Sequence, residues 1–374
     1  MTDGSKPNIV VTGISGDLGS KLLPMLAEYE VTGIDLVPPS KAPFRINFVR
    51  LDLGLEESCR ELFLLMRTLR PVAVVHLAFA SGTRVLGRHD FDQMWQLNVG
   101  GTARVVEALT EVNRDEEIIK KFVFVSCVYA YGTQSSDPAS EDQKLAADSL
   151  PIAIQKMEAD DAVQQRAPAA RGSSVYLLRP AMFAGTGAAN HLLEVFRGEP
   201  RGRGKLGLKL AKNGNIVPCI FPWGKKYLEK SLQFVHTDDV ARVITFILRK
   251  TEPESRRLTI LNIAAKGESL TVQRCADIAR IKIMRVPGEW VMRRMLEVLW
   301  RTGISSIPPE AAGYLCGTPT MKTERIREFL GPYYENVIQH TSEHAFVESV
   351  TASSHQPVAT GNRPAGSANN RDSN

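Results

Sequence analysis

From Asn8 onward, short runs rich in β-branched residues alternate with longer stretches of helical spacing, and this rhythm constrains the fold more than any other feature of the chain. The runs read NIVVTG, EVTGIDL, NFVRLDL, VAVVHLAFA, KFVFVSC and SVYLLRP, with a helix expected near Leu18 to Tyr29 after the first. Strands that are apolar along their whole length have no face to leave in water, so both faces of their sheet need a cover. Strands separated by helices supply that cover and pair in parallel. The expected fold class is α/β, a doubly wound parallel sheet with a smaller C-terminal lobe.

After Arg179 the rhythm breaks into RGEPRGRGKLGLKLAKNGN and the turn-rich IVPCIFPWG, where an inserted lobe is expected to begin. A helical stretch from Asp238 to Leu248 and the strand-like LTILNIAA then return to the regular pattern. The expected division is a nucleotide-binding body over 1–180, completed by about 233–265, and a substrate lobe over 181–232 and 266–350. The polar segment after residue 350 cannot bury enough apolar surface to offset its ordering entropy, so 351–374 is expected to be a disordered tail. Apolar residues at helical spacing from Glu289 to Trp300, with Arg293 and Arg294 between them, fit a helix packed on the core better than one lying on a membrane.

Of the 374 residues 43% are hydrophobic and 23% charged, which excludes a disordered or collagen-like chain. Cys59, Cys127, Cys219, Cys275 and Cys316 are scattered and odd in number, without a CxxC pair, so neither a disulfide framework nor a metal site is expected. A reducing cytoplasm is the expected setting. The start MTDGSKPNIVV has no basic segment followed by a long apolar run, and no stretch reaches the roughly 18 apolar residues of a membrane span, so no membrane partner is expected.

The strongest local motif is Thr12-Gly13-Ile14-Ser15-Gly16-Asp17-Leu18-Gly19, directly after the first strand and opening a helix. Glycines at these spacings allow a tight turn, close approach of backbone to a pyrophosphate and close helix packing, and the helix start offers free N–H groups. A bare strand-to-helix connection is the alternative. Asp35 argues against it: it ends the second strand, where a carboxylate accepts hydrogen bonds from the adenosine ribose hydroxyls. Its charge repels a 2′-phosphate and Leu36 adds no cation, so the expected cofactor is NAD.

In these motifs the chain resembles the extended short-chain dehydrogenase/reductase superfamily, specifically the NAD-dependent epimerase/dehydratase family, over roughly residues 8–335. Asp52-Leu53 matches the pair beside the adenine, and His76-Leu77-Ala78-Phe79 the loop beneath the cofactor. Asn98-Val99-Gly100-Gly101-Thr102 matches a helix motif whose Asn supports the site, and Phe124 to Gly132 the strand and turn that bear the catalytic Ser or Thr. Leu178-Arg179-Pro180 with Gly185, and Phe234 to Ala241, follow in order. The resemblance implies a Rossmann fold and an NAD site formed by Gly13, Ser15, Gly16, Asp17, Leu18, Gly19, Asp35, Asp52, Leu53, Leu77, Ala78, Phe79, Asn98, Lys156 and Pro180. His76 also reads as a satisfied core histidine, and that reading is preferred.

The catalytic pattern departs from the family. Its Tyr-x-x-x-Lys pair uses the ammonium and the cofactor ring to lower the tyrosine pKa from about 10, so that the phenolate exchanges a proton as hydride moves. Lys156 matches the lysine, but Ile152 stands in the tyrosine position, and none of the eight tyrosines has Lys four residues later. Cys127 replaces the catalytic Ser or Thr, Met182 a substrate-holding Asn, and Leu232 an Arg that often grips a nucleotide-sugar diphosphate. Lys156, Cys127 and Ser126 are the catalytic candidates. Cys127 is read either as a small buried hydrophobe or as a thiol active in proton transfer. Tyr129 and Tyr131 lie near along the chain, Tyr131 with a structural reading.

Two functions follow. One is an epimerase/dehydratase-like oxidoreductase with an atypical site, acting on a sugar-like or other hydroxylated, anionic small molecule; the other is a non-catalytic NAD sensor or partner subunit. A homodimer is implied by resemblance only. The net charge of +5 gathers between Phe196 and Ser231, where nine Lys or Arg face two Glu. This segment carries no nucleic-acid motif, so no nucleic acid is expected; it reads equally as a solvated loop or as a lure for an anionic substrate.

Overall fold

The β-branched runs form seven strands of one sheet: β1 (Asn8–Thr12), β2 (Glu30–Asp35), β3 (Asn47–Arg50), β4 (Ala73–His76), β5 (Lys121–Val125), β6 (Ser174–Pro180) and, after an excursion, β11 (Leu258–Ile263). The computed structural model describes residues 6–80, 88–133, 137–198, 200, 202, 204–251 and 257–351. Strand order is β11-β6-β5-β4-β1-β2-β3, with every neighbouring pair parallel. The order reverses beside β1, which leaves a crevice at the carboxyl ends of β1, β2 and β4. Alternate residues of the central strands enter different cores: Ile9, Val11 and Val75 one, Val10, Val74 and Phe122 the other. That division is the period-two signature of a strand buried on both faces.

The helices connecting these strands are α1 (Asp17–Leu22), α2 (Ser58–Leu69), α3 (Arg88–Trp95), α4 (Gly101–Val112) and α5 (Pro151–Arg166). The helix expected from Leu18 to Tyr29 is shorter. Pro24 has no N–H for an α-helical bond, and after α1 the chain continues as a 3₁₀ turn over Leu23–Leu26. Five residues of π-helix, Gln96–Gly100, join α3 to α4 and carry Asn98.

The second body is built from smaller pieces. It takes β7 (Met182–Ala184), α6 (His191–Arg197), α7 (Lys205–Lys212), β8 (Cys219–Pro222), α8 (Lys226–Glu229) and β9 (Ser231–Leu232). After β10 (Phe234–His236), the long α9 (Thr237–Arg249) crosses back to α1, where Lys21 meets Asp238 at 3.3 Å. Beyond β11 come β12 (Leu270–Thr271), α10 (Val272–Ala279), β13 (Ile283–Val286) and α11 (Glu289–Arg301). The chain ends with α12 (Ala312–Cys316), α13 (Glu324–Leu330), α14 (Tyr334–Val337) and α15 (Ser342–Thr351). Pairing of β8 with β13, and of β9 with β12, ties the stretch before β11 to the stretch after it. The tail expected from residue 351 starts within α15 at Thr351, and its remainder lies outside the described residues. All five cysteines are unpaired.

Candidate functional site

A cleft of about 300 Å³ opens at the carboxyl ends of β1, β2 and β4. Gly13, Ser15 and Gly16 line it from the glycine turn, Asp35 from β2, Leu53 from the segment after β3, and Leu77, Ala78 and Phe79 from the segment after β4. Residues distant in sequence meet there because parallel strands deliver all their carboxyl ends to one edge.

The turn needs its glycines. Gly13 has φ +70°, and a Cβ there would lie 2.5 Å from the backbone nitrogen of Ala78. At Gly19 a Cβ would lie 2.4 Å from the carbonyl of Ile14, so only glycine lets α1 start so close to the strand end. Gly16 caps α1 with its N–H on Gly13 O at 3.1 Å, while Asp17 and Leu18 begin the helix. Asp35 locks this geometry. Its Oδ2 accepts from Ser15 N at 3.0 Å and its Oδ1 from Leu36 N at 2.7 Å, so each carboxylate oxygen keeps accepting capacity toward the cleft.

Several candidates sit behind the cleft. Asp52 accepts at Oδ1 from Gly54 N at 2.9 Å and shapes the turn that presents Leu53. Asn98, fully buried, accepts from Ala80 N at 2.7 Å and donates to Ala80 O at 3.0 Å and to Gln155 Oε1 at 2.7 Å. It therefore clamps the Leu77 to Ala80 segment to α5. Pro180 ends β6 within the buried interior. His76 is buried between Thr12 Oγ1 at 2.6 Å and Thr102 Oγ1 at 3.0 Å and stacks on Phe124. Burial pulls its pKa down to about 3, which is the behaviour of a neutral core histidine.

At the inner end of the cleft, Lys156 lies with Nζ 3.6 Å from the centre of the Phe79 ring and donates to Val125 O at 2.7 Å. Desolvation lowers its pKa to about 8, with Cys127 and Asp160 pulling the other way. Cys127 follows β5 in extended conformation. Burial raises its thiol pKa, against a smaller lowering by Lys156. Ser126 is buried, and its Oγ has no hydrogen-bond partner among the described residues. Ile152 stands one helical turn before Lys156 on α5 and packs its side chain on the core. Met182 and Leu232 are both buried.

The two tyrosines near Cys127 in sequence are structural in different ways. Tyr131 donates to Asn262 Oδ1 at 2.7 Å and accepts from Arg179 Nη1 at 2.9 Å. The same guanidinium grips Asp160 through Nε and Nη2 at 2.8 and 2.9 Å, a fully buried pair that fixes α5 to β6. Tyr129 is buried edge-on against Tyr314 of α12, ring centres 4.7 Å apart, and burial raises both phenols. Tyr314 is not among the sequence candidates. Its hydroxyl is buried beside Asp148, and burial with the charge of Asp148 and, less, Cys127 raises its pKa. Its position far along the chain, in a short helix of the second body, leaves no local pattern to find it by.

The basic segment divides. Arg197 turns inward onto Ala188 O and Ser349 O, and buried Lys230 onto the carbonyls of Leu315 and Gly317. Lys205, Lys209, Lys212, Lys225 and Lys226 stand in solvent, while Arg201 and Arg203 lie outside the described residues. Elsewhere His236, His340 and Glu348 bring potential ligand atoms within 4.8 Å of one another. His236 Nδ1 accepts from Asp238 N, so its Nε2 carries the proton donated to Glu348 Oε2 at 3.1 Å and offers no lone pair to a metal.

The parallel order, the crevice beside β1, the glycine turn and Asp35 together define a doubly wound Rossmann-type α/β protein. The chain belongs to the NAD dependent epimerase/dehydratase family, whose model matches residues 9–264. Among solved structures, it is similar to the Thermus thermophilus UDP-glucose 4-epimerase complex with NAD, at 17% identity and TM-score 0.63, covering 93% of this chain and 99% of that one. The Bordetella bronchiseptica enzyme WbmH in complex with NAD+ gives 16% identity and TM-score 0.63, covering 94% and 99%. MoeE5 in complex with UDP-glucuronic acid and NAD gives 19% and 0.59, covering 92% and 97%. At these identities the likeness is one of fold. No curated protein matches in sequence.

Proposed function

We propose that the chain binds NAD in the β1–β2–β4 cleft and is an oxidoreductase of the epimerase/dehydratase kind, acting on a sugar-like or other hydroxylated, anionic substrate. The observation that carries this reading is the convergence of Gly13, Asp35 and Phe79 with its overlying Lys156 on one cleft. The residues fit the cofactor. A glycine turn with no room for Cβ suits a pyrophosphate at the start of α1, and Asp35 retains acceptors for ribose hydroxyls.

NAD bound there would supply a hydride acceptor for a substrate carbinol carbon. The chain's own part is to position and to move protons. Lys156 would turn its ammonium from Val125 O to the nicotinamide ribose, and the Cys127 thiol, which interacts with it, would be the group that exchanges a proton. The substrate class is supported by membership of the family and by UDP-sugar ligands in similar structures.

A titration of NADH fluorescence tests the cofactor half, with saturation expected and no binding at millimolar NADH sinking the reading. Reduction of bound NAD by a panel of sugars and sugar phosphates tests the catalytic half. A second reading, an NAD-binding sensor or partner subunit without catalysis, is supported by Ile152, an apolar residue one turn before Lys156 on α5 at the position that by resemblance would carry the family's phenol. Tight NADH binding with no reduction by any panel member would select it.

A further inference from the structure

We propose that the outer face of the second body, formed by α7, the β8–β13 pair and α11, docks on an anionic lipid surface. These elements are contiguous. Trp223 N donates to Val286 O at 2.7 Å, Arg285 Nη2 to Gly224 O at 3.0 Å, and Tyr227 OH to Glu289 Oε1 at 2.7 Å, which sets the loop after β8 against the first turn of α11. At the far end of α11, Gly204 N donates to Gly303 O at 3.1 Å, and Gly207 fits only because it has no Cβ beside the same carbonyl.

The face is apolar where a water-facing surface has no use for it. Trp290 is 72% exposed, Trp223 61% and Val298 60%, and Leu206, Leu208 and Ile216 are also open. On α11 the inward stripe of Met292 and Leu296 is buried, whereas Trp290, Arg293, Arg294, Val298 and Arg301 recur at helical spacing on the opposite side. Tryptophans beside cations are the composition of an interfacial helix, in which rings sit among headgroups and basic side chains meet lipid phosphates. Lys225 and Lys226 follow Trp223 in the chain, and Lys205, Lys209 and Lys212 stand on α7 beside the far end of α11, all exposed. The five exposed lysines of the basic segment thus belong to the same contiguous elements as the open tryptophans.

Three other occupants fit less well. Among the described residues no helix is long and apolar enough to cross a membrane, so the contact is peripheral. A second copy of the chain meeting this face about a two-fold axis would oppose lysine to lysine. Nucleic acid would match the charge but leave Leu206, Leu208, Ile216 and Val298 without an apolar partner.

Cosedimentation of the full chain with phosphatidylcholine vesicles, with and without about one-third phosphatidylserine, tests the proposal. At low salt, binding at least about tenfold tighter to the anionic vesicles is expected, weakening as salt rises. The double variant Trp223→Ser/Trp290→Ser should lose that binding while keeping its NADH titration and thermal midpoint, since neither ring is buried. Absence of binding to anionic vesicles, or equal binding by the double variant, overturns the proposal. So does self-association by light scattering, or retention of single-stranded nucleic acid, that the double variant abolishes while the wild-type chain ignores vesicles.

Discussion

The glycine-turn end of the cleft and its inner end beside Lys156 contrast in how their side chains are used. At the first, the polar groups still face the cleft: Asp35 holds Ser15 and retains acceptor capacity, and Gly13 keeps the backbone bare. Beyond Lys156, Ile152, Met182 and Leu232 are hydrocarbon packed in the core, at positions that by resemblance to the family would carry a phenol, an amide and a guanidinium. The polar groups beside Lys156 are the Cys127 thiol and the Ser126 hydroxyl, which has no hydrogen-bond partner among the described residues. Backbone geometry can hold the nucleotide half of a site independently of which side chains stand in the other half.

The largest test of that contrast is Gly13→Val. A β-branched residue at φ +70° with its Cβ against the Ala78 backbone should cost about 3–4 kcal/mol and abolish NADH binding, read by thermal unfolding and fluorescence titration. Next, Ile152→Tyr restores a general acid one turn from Lys156; a rate gain of about 100-fold in NAD reduction is expected if the rest of the inner end is competent. Unchanged rates with intact NADH affinity would place the divergence deeper than one residue. Asp35→Ala removes a charged acceptor and should weaken NADH by about 2 kcal/mol, roughly 30-fold, without a comparable change in unfolding midpoint. Full retention of affinity would break the ribose assignment.

Near neutral pH the smallest effect is one of protonation. His76 has its pKa depressed to about 3 in the folded chain, against 6.5 ordinarily, so between those values the unfolded state binds the extra proton. Stability should be insensitive to this group above about pH 6.5 and fall by about 1.4 kcal/mol per pH unit below it. Chemical denaturation of wild type and His76→Asn at stepped pH reads the difference in slope; parallel profiles would contradict a neutral buried imidazole.

The body around the glycine turn is legible because each strand announces itself locally: NIVV, AVVH and KFVFV each hold an unbroken apolar run, and Asp35 ends its strand at the spacing the turn requires. The helix from Leu18 reads too long because helical spacing continues past Pro24 although α-helical bonding does not. The second body is less legible. Its strands are two to four residues long and exist through pairings such as Cys219 with Ile283, which no window of sequence contains. Tyr314 is invisible for the same reason, and so is the inward turn of Arg197 and Lys230 out of the basic segment.

The π-helical turn that holds Asn98 joins two things usually discussed apart. With one carboxamide bonded both to the Ala80 backbone and to Gln155, the floor of the cofactor cleft and the helix of Lys156 share a single strut. The spacing between that floor and the helix that carries the ammonium is thereby set by one side chain rather than by the sheet.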